Sequence, residues 1–181
     1  MTTGLVARVQ SFDASVDAAL ERVRGRPWFD QLFRGASIVG DFSMIWHITG
    51  LVVGVLRRDL TASLWFSALI GLESLIVNQG IKRLFRRTRP TETGDERLQV
   101  RRPRTSSFPS GHASAACFAA TLLTVWAGWP WAPLWFAMAG VVALSRAVVR
   151  IHHPSDVVGG MVVGLLLGQV VLITGLAGPL T

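Results

Sequence analysis

Apolar residues in this chain gather into segments about as long as a bilayer is thick. Five of them, residues 36–56, 60–81, 111–129, 131–151 and 156–178, each come near the ~20 residues that a membrane-spanning helix needs. Upstream the pattern changes. Leu5, Val9, Phe12, Val16, Ala19, Leu20 and Val23 recur at steps of three and four, with Arg8, Asp13, Asp17, Glu21, Arg22 and Arg24 mostly between them, which predicts an amphipathic helix over 3–24. With no continuous apolar core and no small-residue cleavage site, that stretch does not read as a secretory signal. It suits either the membrane interface or packing on a bundle, and Trp28, Phe29 and Phe33 just beyond it favour the interface. The expected fold is all-α, a polytopic transmembrane helix bundle of about five spans. Residues 1–34 form the amphipathic helix and the lead into the membrane, and 35–181 form one membrane domain.

The connections decide which ends meet. Arg57-Arg58-Asp59 and Trp129-Pro130-Trp131 are so short that the spans they join must be hairpins. The one long connection, 82–110, is rich in Arg, Thr and Pro. Counting crossings puts the N-terminal helix, this loop and the 151–156 turn on one face, with the Arg57 and Trp129 turns and the C-terminus on the other. Of the 18 Lys and Arg residues, 16 fall on the first face.

Composition agrees with a membrane protein. Half of the residues are hydrophobic and 16% are charged, too apolar for a soluble domain of this size. A net charge of +7 on such a chain points to anionic lipids or phosphates rather than nucleic acid, because no basic stripe is interleaved with exposed aromatics. The single Cys117 lies in an apolar run and reads as a small buried residue.

The densest chemistry is in 145–156, Ser-Arg-Ala-Val-Val-Arg-Ile-His-His-Pro-Ser-Asp, where two arginines, two histidines and an aspartate end an apolar run. Asp156 either caps the helix after Pro154 or orients a histidine whose other ring nitrogen attacks. On spacing alone His152 and His153 are equal candidates. Pro109-Ser110-Gly111-His112 opens the third span, where unpaired backbone N–H groups cradle an anion, or where Ser110 is simply a cap. Lys82 and Arg89, seven apart, share a stripe if the second span's helix continues. They fit a phosphate dianion or a generic positive flank. The carboxylates form no metal-ligand cluster, so neither metal nor cofactor is expected.

Lys82-x6-Arg89-Pro90, Pro109-Ser110-Gly111-His112 and Ser145-Arg146-x5-His152-x3-Asp156 together resemble the three-part signature of the type 2 phosphatidic acid phosphatase (PAP2) superfamily, in order and at full spacing. That superfamily also contains soluble vanadium haloperoxidases, a reading that the spans disfavour. The resemblance implies that His152 attacks phosphorus and forms a phosphohistidine, that Asp156 orients it, and that His112 protonates the leaving oxygen and later activates water. It implies that Lys82, Arg89, Ser110, Gly111 and Arg146 hold the phosphate, with Ser145 supporting Arg146 and His153 left without a role. The chain looks like the short bacterial branch, whose arginine-rich members resemble phosphatases of polyprenyl-linked phosphates. The expected activity is hydrolysis of a phosphate monoester or pyrophosphate on a lipid carrier in the cell membrane, with decaprenyl-phosphoryl-5-phosphoribose favoured. Undecaprenyl pyrophosphate, phosphatidic acid and phosphatidylglycerophosphate are alternatives, and a non-catalytic lipid-phosphate binder is the reading from another class. The arginine-rich loop would meet the headgroup, and the basic count favours a cytoplasmic site.

Asp41, His47, Glu73 and Asn78 lie inside the first two spans, where ionisable and polar groups usually face the bundle interior. Asn78 is placed to support Lys82. Asp41 suits a headgroup, a loop arginine or a partner within the bundle. Gly160, Gly164 and Gly168 form a small-residue stripe that serves packing within one subunit or, less favoured, a homo-oligomer seam.

Overall fold

The structure, a computed structural model, describes residues 2–90 and 105–181. Its helices are α1 (Thr2–Glu21), α2 (Pro27–Val39), α3 (Met44–Arg57), α4 (Leu60–Leu75), α5 (Gly111–Ala127), α6 (Ala132–Val148) and α7 (Pro154–Ile173). No strand occurs among the described residues.

α5 is the axis of the bundle, buried at every position from Ala113 to Thr124. Its Ala, Ser and Thr side chains let neighbouring helices approach closely. On α7 a Cβ added at Gly160 or Gly164 would collide with the carbonyl oxygens of Ser110 and Ser114, and one at Gly168 would lie 2.9 Å from Thr121 Cγ2. The glycine stripe is therefore covered by α5 within the chain and is not available as a seam between copies. The outer helices turn Leu51, Leu56, Leu64, Leu72, Leu166 and Ile173 outward, as expected where lipid is the solvent.

Among the described residues three helical stretches are long and apolar enough to cross a membrane: Leu60–Leu84, Trp129–Val148 and Pro154–Ile173. α5, with 17 residues, is shorter. The expected straight span over 36–56 is broken. α2 and the stretch Asp41–Arg57 meet at 65°, with Phe42 and Ser43 in left-handed conformation (φ 54° and 58°). Hydropathy alone does not register this bend, which lays Gly40 so near α5 that a Cβ there would sit 2.8 Å from His112 Cδ2.

The second span also departs from expectation. Asp59 caps α4 by accepting from Ala62 N (2.9 Å), but regular α-helix ends at Leu75. Ile76–Gly80 is π-helical, Ile81–Leu84 is a 3₁₀ turn, and Phe85 is extended. Lys82 and Arg89 thus do not share a helical stripe. α6 stops at Val148, because Ile151 N and His152 N both fold back to donate to Arg146 O (3.1 Å each).

α1 docks on the bundle. Asp13, Asp17 and Glu21, four apart, turn one stripe towards it. Asp17 and Glu21 clasp Arg24 and Arg150 at 2.7–3.2 Å, and Leu20 and Val23 pack against the cluster of Phe29, Phe33 and Val148. Leu5, Val6 and Phe12 remain exposed.

Candidate functional site

Lys82, Arg89, Ser110, Arg146, His152 and Asp156 are each at most 6% exposed. They come from four separate stretches of chain, and their convergence follows from the topology. Ser110 N donates to Asp156 O (3.0 Å), tying the start of α5 to the start of α7. A cavity of about 340 Å³ opens beside them, lined among others by Asp41, Asn78, Lys82, Gly111, His112, Arg146 and His152.

The backward fold of 151–152 presses His152 into this end of the bundle. Arg89 Nη1 lies 3.1 Å from His152 Nε2. A guanidinium has no acceptor to offer, so Nε2 must carry the lone pair and Nδ1 the proton. The turn lies outside the spanning helices. There burial pushes the imidazole down to about pKa 3, with Arg89, Arg146 and Lys82 acting in the same direction and Asp156 opposing them. The ring is therefore neutral at physiological pH.

Asp156 faces His152 Nδ1, but at 3.7 Å the expected direct hydrogen bond is not formed. Ser107 stands between them. Its Oγ donates to Asp156 Oδ2 (2.5 Å) and lies 3.4 Å from His152 Nδ1. Asp156 also accepts from His153 N (2.9 Å) and, on its other oxygen, from Arg87 Nη1 (2.6 Å). The capping use considered for it is thus present, and it also lies behind His152 Nδ1 with Ser107 between them.

A second histidine–aspartate pair faces the first across the cavity, with His112 Nε2 3.1 Å from Asp41 Oδ1. Among the described residues Asp41 thus has a partner within the bundle, one of the three uses considered for it; of the loop arginines considered for another, Arg97, Arg101, Arg102 and Arg104 lie outside the described residues. Arg146 Nη1 donates to Ser37 Oγ of α2, whereas Arg146 Nε is buried without a partner. Beside it, a Cβ on Gly111 would meet Asn78 Oδ1 at 2.9 Å and Lys82 Nζ at 3.5 Å. Glycine thus keeps open a concavity bordered by a helix N-terminus, a lysine and an arginine. Ser110 Oγ accepts from Ala113 N only at 3.5 Å.

Some expectations are redirected. Ser145 Oγ donates to Val142 O of its own helix (2.6 Å) instead of supporting Arg146. Asn78 Nδ2 donates to Ser74 Oγ (3.0 Å), while its Oδ1, like Lys82 Nζ, borders Gly111. His153 Nε2 lies 3.3 Å from Thr88 O, outside the cluster. Glu73 accepts a hydrogen bond from Ser114 between α4 and α5. Arg97, Arg101, Arg102 and Arg104, expected to meet a headgroup, lie outside the described residues. Among the described residues no three His, Cys, Asp or Glu side chains form a metal-binding group. Ser37, Ser107, Asp13 and Arg87 were not singled out by sequence. The only signal for Ser37 and Ser107 is a small polar residue at a buried position.

Residues 61–176 match the model of the PAP2 superfamily. The chain belongs to that superfamily. It is 34% identical over 151 residues to a decaprenylphosphoryl-5-phosphoribose phosphatase from Mycolicibacterium smegmatis, covering 82% of this chain and 80% of the relative. A Mycobacterium tuberculosis protein of the same name is 33% identical over 147 residues, with 81% and 80% covered. Among solved structures it resembles a transmembrane PAP2-type phosphatidylglycerolphosphate phosphatase from Bacillus subtilis, with a TM-score of 0.69, 25% identity, and 93% of this chain and 86% of that chain covered. The protein is thus a PAP2 phosphatase embedded in a membrane.

Proposed function

We propose that this PAP2 phosphatase removes the phosphate monoester of a polyprenyl-linked lipid, with decaprenylphosphoryl-5-phosphoribose its substrate, through a phosphohistidine. The observation that carries the phosphate site is the buried Arg146 Nε, lacking a partner beside Lys82, Gly111 and the Arg89–His152 pair. Substrate oxygens replace the Arg89–Nε2 contact, and Lys82, Arg89, Arg146 and the N–H groups at Ser110 and Gly111 hold them as charge redistributes in transfer. The Nε2 lone pair attacks phosphorus, the bond from phosphorus to the leaving oxygen breaks, and His112, supported by Asp41, gives that oxygen its proton. In the second half His112 takes a proton from water, the hydroxide oxygen bonds to phosphorus, and the P–N bond breaks to release phosphate and free His152. Asp156, through its position behind Nδ1, supports the positive charge that the ring acquires.

The polyprenyl substrate rests on the two mycobacterial relatives, and the lipid tail would approach from the bilayer. A phosphatidylglycerophosphate substrate is the second reading, motivated by the Bacillus structure. Phosphate release in detergent from decaprenylphosphoryl-5-phosphoribose, undecaprenyl pyrophosphate, phosphatidic acid and phosphatidylglycerophosphate separates these. The first is expected to be hydrolysed fastest, and preference for either glycerolipid would reverse the assignment. His152→Ala is expected to abolish release from all four, and retained activity would overturn the mechanism. The proposed location is the cell membrane with the site on the cytoplasmic side.

A further inference from the structure

α1 delivers one buried carboxylate to the catalytic end of the bundle. Asp13 Oδ1 accepts from Ser155 N (2.8 Å), and Oδ2 accepts from Ser155 Oγ (2.8 Å) and Arg87 Nη2 (2.6 Å). The same guanidinium turns Nη1 to Ser155 Oγ (2.8 Å) and to Asp156 Oδ1 (2.6 Å). Arg87 is thus held between two carboxylates, one from α1 and one from α7. Asp13, Arg87, Asp156 and His152 form a continuous line of contacts that ends behind the nucleophilic ring.

The geometry has an electrostatic consequence. A guanidinium bound to Asp156 alone would draw on the negative charge that must balance the imidazolium as the N–P bond forms. A second carboxylate on that guanidinium shares its charge and fixes its plane, because a planar fork with two anchored nitrogens cannot pivot. We propose that Asp13 is a positioning residue for phosphoryl transfer: through Arg87 it fixes the Asp156 carboxylate and leaves the charge of that carboxylate available to His152. This rests on the proposed roles of His152 and Asp156.

Simple docking of α1 is the competing explanation, and the structure contains its control. The clasp of Glu21 with Arg24 and Arg150 (3.1 and 2.8 Å) also ties α1 down but does not reach Asp156. The experiment measures phosphate release from decaprenylphosphoryl-5-phosphoribose by the full chain in detergent, with vanadate inhibition as a reading of the phosphate site. Asp13→Asn is expected to lower kcat about tenfold to hundredfold, as losing the outer partner of an active-site group commonly does. KM and vanadate inhibition are expected to stay within about threefold, and Asp13→Glu to recover part of the loss. Arg87→Gln is expected to match Asp13→Asn, and the double variant to be no slower than Arg87→Gln, because the two act as one unit. Glu21→Gln is expected to keep the parental kcat. A parental kcat in Asp13→Asn, additive losses in the double variant, or an equal loss in Glu21→Gln overturns the proposal. If Asp13→Asn does not fold, Arg87→Gln decides alone, because it leaves both Asp13–Ser155 bonds in place, and a parental kcat there also overturns it. Should His152→Ala itself stay active, the underlying mechanism fails. With His152→Ala inactive and Asp13→Asn at the parental rate, only the positioning role fails.

Discussion

His152 carries the clearest consequence at the scale of single residues. Its pKa is about 3 in the fold against 6.5 in an unfolded chain. Between those values the unfolded chain binds a proton that the folded one excludes. Its contribution to stability is complete above pH 6.5 and is lost as pH falls towards 3, at up to about 1.4 kcal/mol per pH unit. Thermal unfolding in detergent at pH 7 and pH 5 tests this. The parent is expected to lose more stability over that interval than His152→Ala, and equal losses would show that the ring is not held neutral by its site. The residues that sequence found, Lys82, Arg89, Arg146, His152 and Asp156, are charged or titratable groups set against apolar spans, where such groups are expensive and therefore conspicuous. Ser37 and Ser107 escaped because a serine hydroxyl costs little anywhere, and nothing in its spacing marks the one that sits on Arg146 or between Asp156 and His152. Asp13 was legible only as the polar side of an amphipathic helix, since its partners lie 74 and 142 positions away.

Among elements, the tightest constraint is the seam between α5 and α7. At Gly164 a Cβ would meet the carbonyl of Ser114, whereas at Gly71, on the outer side of α4, it would meet nothing within 4 Å. Gly164→Ala is expected to force the helices apart at a cost of about 1–3 kcal/mol, lowering the melting temperature in detergent and, through the Ser110–Asp156 tie, the activity. Gly71→Ala is expected to leave both unchanged. A Gly164→Ala variant as stable as the parent would mean that the two helices are not in contact there. The helices themselves were readable from sequence because apolar length is a strong signal in a membrane protein. The irregular stretches were not. The bend at Phe42–Ser43 and the π-helical turn at Ile76–Gly80 arise where α2 and α4 close on His112 and Lys82, which are tertiary demands that hydropathy does not record. The same irregularities bring Asp41 and Lys82 to the cavity, so the parts of the fold that sequence missed are those that shape the site.

For the whole molecule, the distribution of charge between its two ends bears on which way it sits in the membrane. The site end carries α1, the start of α5 and the turn at 149–153. At the other end Trp65 Nε1 donates to Leu176 O (2.8 Å), which fixes the C-terminal segment beside the start of α4. Many of the basic residues on the site end serve structure and so are weak witnesses to topology. Lys82, Arg89 and Arg146 surround the cavity, and Arg24, Arg87 and Arg150 are paired with carboxylates. Setting those six aside still leaves six among the described residues of the site end, Arg8, Arg22, Arg26, Arg34, Arg83 and Arg86, against Arg57 and Arg58 on the other. That imbalance supports a cytoplasmic site under the positive-inside rule. The native Cys117 is 2% exposed inside α5, so it will not compete for an aqueous thiol reagent. Thr181→Cys is therefore expected to react with a membrane-impermeant maleimide in intact cells, while Arg8→Cys, on α1, reacts only after lysis. The reverse pattern would place the site on the outer surface and with it the released phosphate, so that the substrate would have to be presented from the outer leaflet.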